Sequence, residues 1–152
     1  MRKVIVGGLI LIAGLTVAAC GGTTSSTNVP TASGSPGSST AQFGNDLSTV
    51  GSDATQISTD AGTASNTGDF APVGADCQTL LTDVQTLQAD GVPTIFSDSV
   101  RTDTVTMESD LAAGATDCIN GVNNNDPSLI SSAASHFQDA GNLVSRINAS
   151  LG

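Results

Sequence analysis

Residues 43–64 read FGNDLSTVGSDATQISTDAGTA, and the apolar positions within them decide the fold. Phe43, Leu47, Val50, Ala54, Ile57, Ala61 and Ala64 are separated alternately by four and three residues. That spacing puts them on one stripe of an α-helix, and no two-residue alternation competes with it. Three further stretches repeat the rhythm. Val73, Cys77, Leu80, Val84 and Leu87 form a second stripe, widened by Leu81 and stopped by Gly91 and Pro93. Val100, Thr104, Met107, Leu111, Ala115, Cys118 and Val122 form a third. The fourth opens at Asp126-Pro127, a capping residue followed by proline at the first helical position, and carries Leu129, Ala133, His136, Ala140, Leu143 and Ile147. Beside it runs a second apolar column of Ile130, Phe137, Val144 and Leu151. Helices are therefore expected at about 42–65, 71–90, 98–122 and 127–151, in one domain spanning 41–152. Short connections between amphipathic helices imply an all-α, antiparallel four-helix bundle.

The cysteines agree with that arrangement. In a hairpin of the second and third helices, Cys77 with Cys118, Leu80 with Ala115, Val84 with Leu111 and Val73 with Val122 keep one constant sum of residue numbers. The pairing that aligns the two stripes also brings the two thiols together, so a disulfide between helices two and three is expected. Two buried free thiols are the plainer alternative. A crosslink closing so long a loop contributes on the order of 4 kcal/mol in the chain-entropy description. The core has need of it: the chain has no Trp or Tyr and four Phe, and much of the stripe is Ala. The solvent faces are rich in Ser, Thr, Asp and Asn, which are indifferent helix formers.

The chain opens MRKVIVGGLILIAGLTVAAC, with a basic start at Arg2 and Lys3, an uncharged apolar run over 4–18 and small residues before Cys20. This is the pattern of a secretory signal peptide, over 1–19, and its apolar run is shorter than the roughly 20 residues of a membrane-spanning helix. Val17-Ala18-Ala19-Cys20 resembles the lipobox of bacterial lipoproteins, with Val17 where the commonest form has Leu. The resemblance implies that Cys20 becomes the first mature residue, carries a lipid and anchors the chain to the cell membrane, with the domain on the extracytoplasmic side. Residues 21–40 follow as GGTTSSTNVPTASGSPGSST, in which 17 of 20 are Gly, Ser, Thr or Pro. No apolar period exists there, so a disordered tether is expected over 20–40, with an end-to-end distance of roughly 25 Å. Once Cys20 is committed to lipid, Cys77 and Cys118 remain as an even pair in a compartment where disulfides persist. The Ser, Thr, Gly and Ala-rich style resembles the small lipoproteins of high-G+C Gram-positive bacteria, many of unassigned function, a likeness that carries no active site with it.

Without Arg2 and Lys3 the bases left are Arg101 and Arg146 against 14 acidic residues, a formal charge of about −12. That sign repels nucleic acid phosphates and anionic lipid, which leaves basic peptides, cations or a cationic polymer as electrostatic partners, or no role beyond solubility. Chemistry-bearing groups are few. His136 is the only histidine and has no sequence-local partner that marks it as a base. The domain cysteines lack Cys-x-x-Cys or zinc spacing, and the glycines form neither a phosphate loop nor a nucleophile elbow. The stretch 120–126, NGVNNND, offers oxygens in a row without the order of a calcium loop, and reads as a helix end followed by the Asp126 cap. No enzyme and no cofactor is expected.

The aspartates are the remaining pattern. With core residues labelled a and d, Asp46, Asp53 and Asp60 occupy g in the first helix, Asp76, Asp83 and Asp90 in the second, Asp103, Asp110 and Asp117 in the third. Asp139 and Arg146 share that column in the fourth. Asp76 with Asp117, Asp83 with Asp110 and Asp90 with Asp103 also keep a constant sum, which predicts three rungs of facing carboxylates between helices two and three. Such a ladder is the candidate for a divalent cation or a cationic ligand. The simpler expectation is a solvated border, because apolar residues at e turn the buried faces away from g. The function expected is a non-catalytic binding or envelope-interaction module, and the alternative is a small-ligand or cation sensor using the Asp columns or a cavity in the Ala-rich core.

Overall fold

The computed structural model describes residues 39–151, which form four helices: α1 (Thr40–Thr67), α2 (Ala71–Asp90), α3 (Asp98–Asn124) and α4 (Pro127–Leu151). Among the described residues there is no strand, and each helix packs against its neighbour in the chain. The expected signal peptide, Cys20 and most of the tether lie outside the described residues. The helices form the expected all-α bundle, and Cys77 and Cys118 are bonded between α2 and α3 with their Cα atoms 6.2 Å apart.

Each helix end has a local cause. Ser39 accepts a hydrogen bond from the Gln42 amide at the start of α1, and Gly68 ends that helix in the left-handed conformation at φ 79°. Ser97 caps α3 through the Val100 amide. The 120–126 stretch is mostly helix: α3 runs on through Asn124, and Asn125 alone adopts the left-handed turn, at φ 51°. Asp126 then accepts from the hydroxyl and the amide of Ser128, and those bonds hold its carboxyl below the usual range.

The Ser and Thr content is absorbed inside the helices. Thr55, Ser65, Thr102 and Thr116, among others, each donate to the carbonyl four residues back, at 2.8–2.9 Å. This satisfies the hydroxyls without a partner helix, but adds little to helix stability. Stability must come from the stripes. Phe43, Val50, Ile57 and Ala64 are buried from α1; Cys77, Leu80, Val84 and Leu87 from α2; Val100, Met107, Leu111, Ala115 and Cys118 from α3; Ala133, Ala140, Leu143 and Ile147 from α4. Phe43 also stacks at 5.7 Å against Phe96, tying the start of α1 to the α2–α3 connection.

Gly114 and Gly121 set the spacing of α3 and α4. A Cβ on Gly114 would stand 2.7 Å from the Phe137 ring, and one on Gly121 would stand 2.8 Å from Ile130 Cδ1 and 3.0 Å from the Ile130 backbone nitrogen. Phe137 and Ile130, from the second apolar column of α4, thus lie in two glycine notches of α3. Gly62, by contrast, faces open space. Gly121→Ala is expected to lower stability by about 1–3 kcal/mol, because backbone cannot give way as a side chain can. Gly62→Ala is expected to raise it by about 0.5–1 kcal/mol through helix propensity alone. Thermal unfolding followed by circular dichroism checks both signs.

Candidate functional site: the aspartate columns

The packing of α2 on α3 determines what every aspartate meets. A Cβ on Gly74 would stand 3.1 Å from Val122 Cγ1, so the two helices meet along the flank that carries Gly74 and Leu81 on one side and Ala115 and Val122 on the other. Their aspartates sit on the opposite flank of each stripe. The expected rungs Asp76 with Asp117, Asp83 with Asp110 and Asp90 with Asp103 therefore do not form. In an antiparallel bundle a helix offers one flank to each neighbour, and the flank facing α3 is already used.

The column of α3 turns to α4 instead, where it finds donors. Arg146 Nη2 lies 2.5 Å from Asp103 Oδ1. Ser132 donates to Asp117 Oδ2 at 2.6 Å. His136 stands between two acids, with Nδ1 4.0 Å from Asp110 Oδ1 and Nε2 3.8 Å from Asp117 Oδ2. The imidazole thus has two acidic neighbours that the sequence alone did not assign to it. The Ser132 hydroxyl donates to Asp117 and not to His136, so the arrangement lacks the nucleophile-to-base hydrogen bond of an acyl-transfer site.

The column of α2 turns to α1 and meets its own kind. Asp46 faces Asp90, Asp53 faces Asp83 and Asp60 faces Asp76, again with one constant sum of residue numbers. All six side chains are partly buried. Asp46 Oδ2, Asp53 Oδ2 and Asp76 Oδ2 are buried and reach no donor. Two carboxylates offer only acceptors to each other, so a hydrogen bond across a rung requires a proton on one of them. Burial first, and the facing acid second, push Asp53 up to about 6. The same causes, in the same order, raise Asp46 and Asp76. Among the described residues the cross-seam donor close at hand is Gln42 Nε2, 2.7 Å from Asp90 Oδ2. The g columns are therefore neither a ladder between α2 and α3 nor a fully solvated border: they line the two outer seams.

Glu108 is a fourth such group. It lies on the α2-facing flank of α3, two turns before Ala115, and is 4% exposed with Oε1 reaching no donor. Burial pushes its carboxyl up to about 7. Among the described residues, no three His, Cys, Asp or Glu side chains converge so as to hold a metal ion, and no helix is long and apolar enough to cross a membrane. No protein-family model matches the chain, and comparisons with curated proteins and with solved structures return no match.

The folded pKa of Glu108 lies above its ordinary value of 4.5, so the domain keeps this carboxyl's full contribution below about pH 4.5 and loses it as pH rises through about 7. Glu108→Gln keeps the size and removes the charge. It is expected to raise the melting temperature by roughly 5–10 °C at pH 8, for a gain on the order of 2 kcal/mol, and to change it little at pH 4.5. Thermal melts at the two pH values check the difference.

Proposed function

We propose that the protein is a lipid-anchored helical bundle on the extracytoplasmic face of the cell membrane, acting as a non-catalytic binding module of the envelope. The observation that carries this reading is the Cys77–Cys118 bond, which suits a chain matured where disulfides persist. It agrees with the basic start, apolar run and Val17-Ala18-Ala19-Cys20 signature, and with a Gly, Ser, Thr and Pro-rich stretch long enough to hold a domain clear of a surface. The acidity of the domain favours basic peptides or other cationic envelope components as partners and disfavours nucleic acid.

Divalent-cation sensing has less support. Asp103, Asp110 and Asp117 are engaged by side chains of α4, and Asp76, Asp83 and Asp90 face single carboxyls of α1 in separate rungs. A divalent cation held by protein needs more oxygen donors than one rung provides.

The reading is tested by expressing the full chain in a bacterium fed labelled palmitate. Label on the wild-type chain and recovery with the membrane fraction are expected, and both are lost in Cys20→Ser. A wild-type chain that carries no label and stays in the soluble fraction contradicts the reading.

A further inference from the structure

The α1–α2 seam is charged in a way that no other seam of the bundle is. It brings Asp46, Asp53 and Asp60 of α1 against Asp90, Asp83 and Asp76 of α2, with an unpartnered buried oxygen in each rung. The bases among the described residues serve elsewhere. Arg101 lies 3.8 Å from Asp98, Arg146 is on Asp103, and His136 is between Asp110 and Asp117. Of the groups on α3, which packs on the other side of α2, Glu108 occupies the α2-facing flank and the three aspartates face α4. Asp69, in the α1–α2 connection, is taken by the Ala71 amide at 3.1 Å. Among the described residues no basic side chain is left to neutralise the seam.

We propose that this seam is a proton-operated latch: shared-proton carboxyl pairs dock α1 on α2 in acid, and ionisation of the pairs loosens α1 while α2, α3 and α4 stay assembled. The inference goes beyond the envelope reading and does not depend on it.

The other two seams explain why α1 alone moves. The α2–α3 seam is crosslinked, and the α3–α4 seam has two glycine notches and an Arg–Asp pair. The α2–α3 seam also buries Glu108, whose ionisation costs stability, but the disulfide keeps those two helices joined whatever its charge. The direction follows from the seam's own acids. Asp53 binds a proton more tightly folded, at about 6, than at its ordinary 3.8, so the seam is fully held below about pH 4 and loses that hold as pH rises through about 6. Loosening α1 exposes the stripe of Phe43, Val50, Ile57 and Ala64, together with the face of α2 that it covers. That is a two-state element whose equilibrium a proton biases.

The test is hydrogen–deuterium exchange of the purified full chain at pH 4.5 and 7.5, corrected for the intrinsic pH dependence of amide exchange. Between these values the opening of amides in 43–64 is expected to rise about tenfold or more, while peptides of α3 and α4 change by less than about threefold. The variant Asp46→Asn, Asp53→Asn, Asp60→Asn is expected to keep α1 protected at both values, and Glu108→Gln to leave the α1 response in place. Equal protection of α1 at the two pH values in the wild type overturns the proposal. So does a loss of protection that spreads evenly over all four helices, or one abolished by Glu108→Gln and not by the triple variant.

Discussion

The Cys77–Cys118 bond joins α2 to α3, the close approach of Gly74 to Val122 shows which flank of each stripe they share, and the placement of the aspartates follows from that flank. A helix in an antiparallel bundle has two flanks beside its core stripe. With Gly74, Leu81, Ala115 and Val122 turned inward between α2 and α3, the aspartate column of α2 is left for α1 and that of α3 for α4. The crosslink therefore does more than shorten the unfolded chain. It holds a seam that has no facing aspartate pair but buries the single carboxyl of Glu108, while the aspartate pairs and the Arg–Asp contact lie in the other two.

Those two seams take the same residue type to opposite ends of its chemistry. Beside Arg146, the charge of Asp103 is matched. Beside Asp83, Asp53 has no countercharge and its carboxyl is pushed up to about 6, chiefly by burial. Among the described residues the four buried side-chain oxygens without a donor, on Asp46, Asp53, Asp76 and Glu108, all belong to carboxyl groups, so a proton removes the buried charge from each. A gradient of hold across the bundle results: covalent between α2 and α3, close-packed and charge-matched between α3 and α4, and dependent on protons between α1 and α2.

Much of this was legible in the sequence. The four-and-three spacing located the helices, the constant sum of the α2–α3 pairs aligned the cysteines, and Asp126-Pro127 marked the start of α4. The apolar residues at e point to a seam between α2 and α3 that leaves the g columns outside it, but nothing in the stripes says that the outer flanks meet α1 and α4 and are not a solvated border. Gly114 and Gly121 leave no mark in a pattern of apolar side chains, because their contribution is the absence of one. Glu108 left a signal that could have been found. It stands seven residues before Ala115 in a column already read as buried, where an acid must either find a base or stay neutral.

Proton sharing between α1 and α2 across their carboxyl pairs is tested by carbon-13 NMR titration of the side-chain carboxyls. An Asp53 midpoint near 6 that moves down when Asp83 is replaced by Asn is expected. An Asp53 midpoint close to the ordinary aspartate value of 3.8, unmoved by Asp83→Asn, contradicts it.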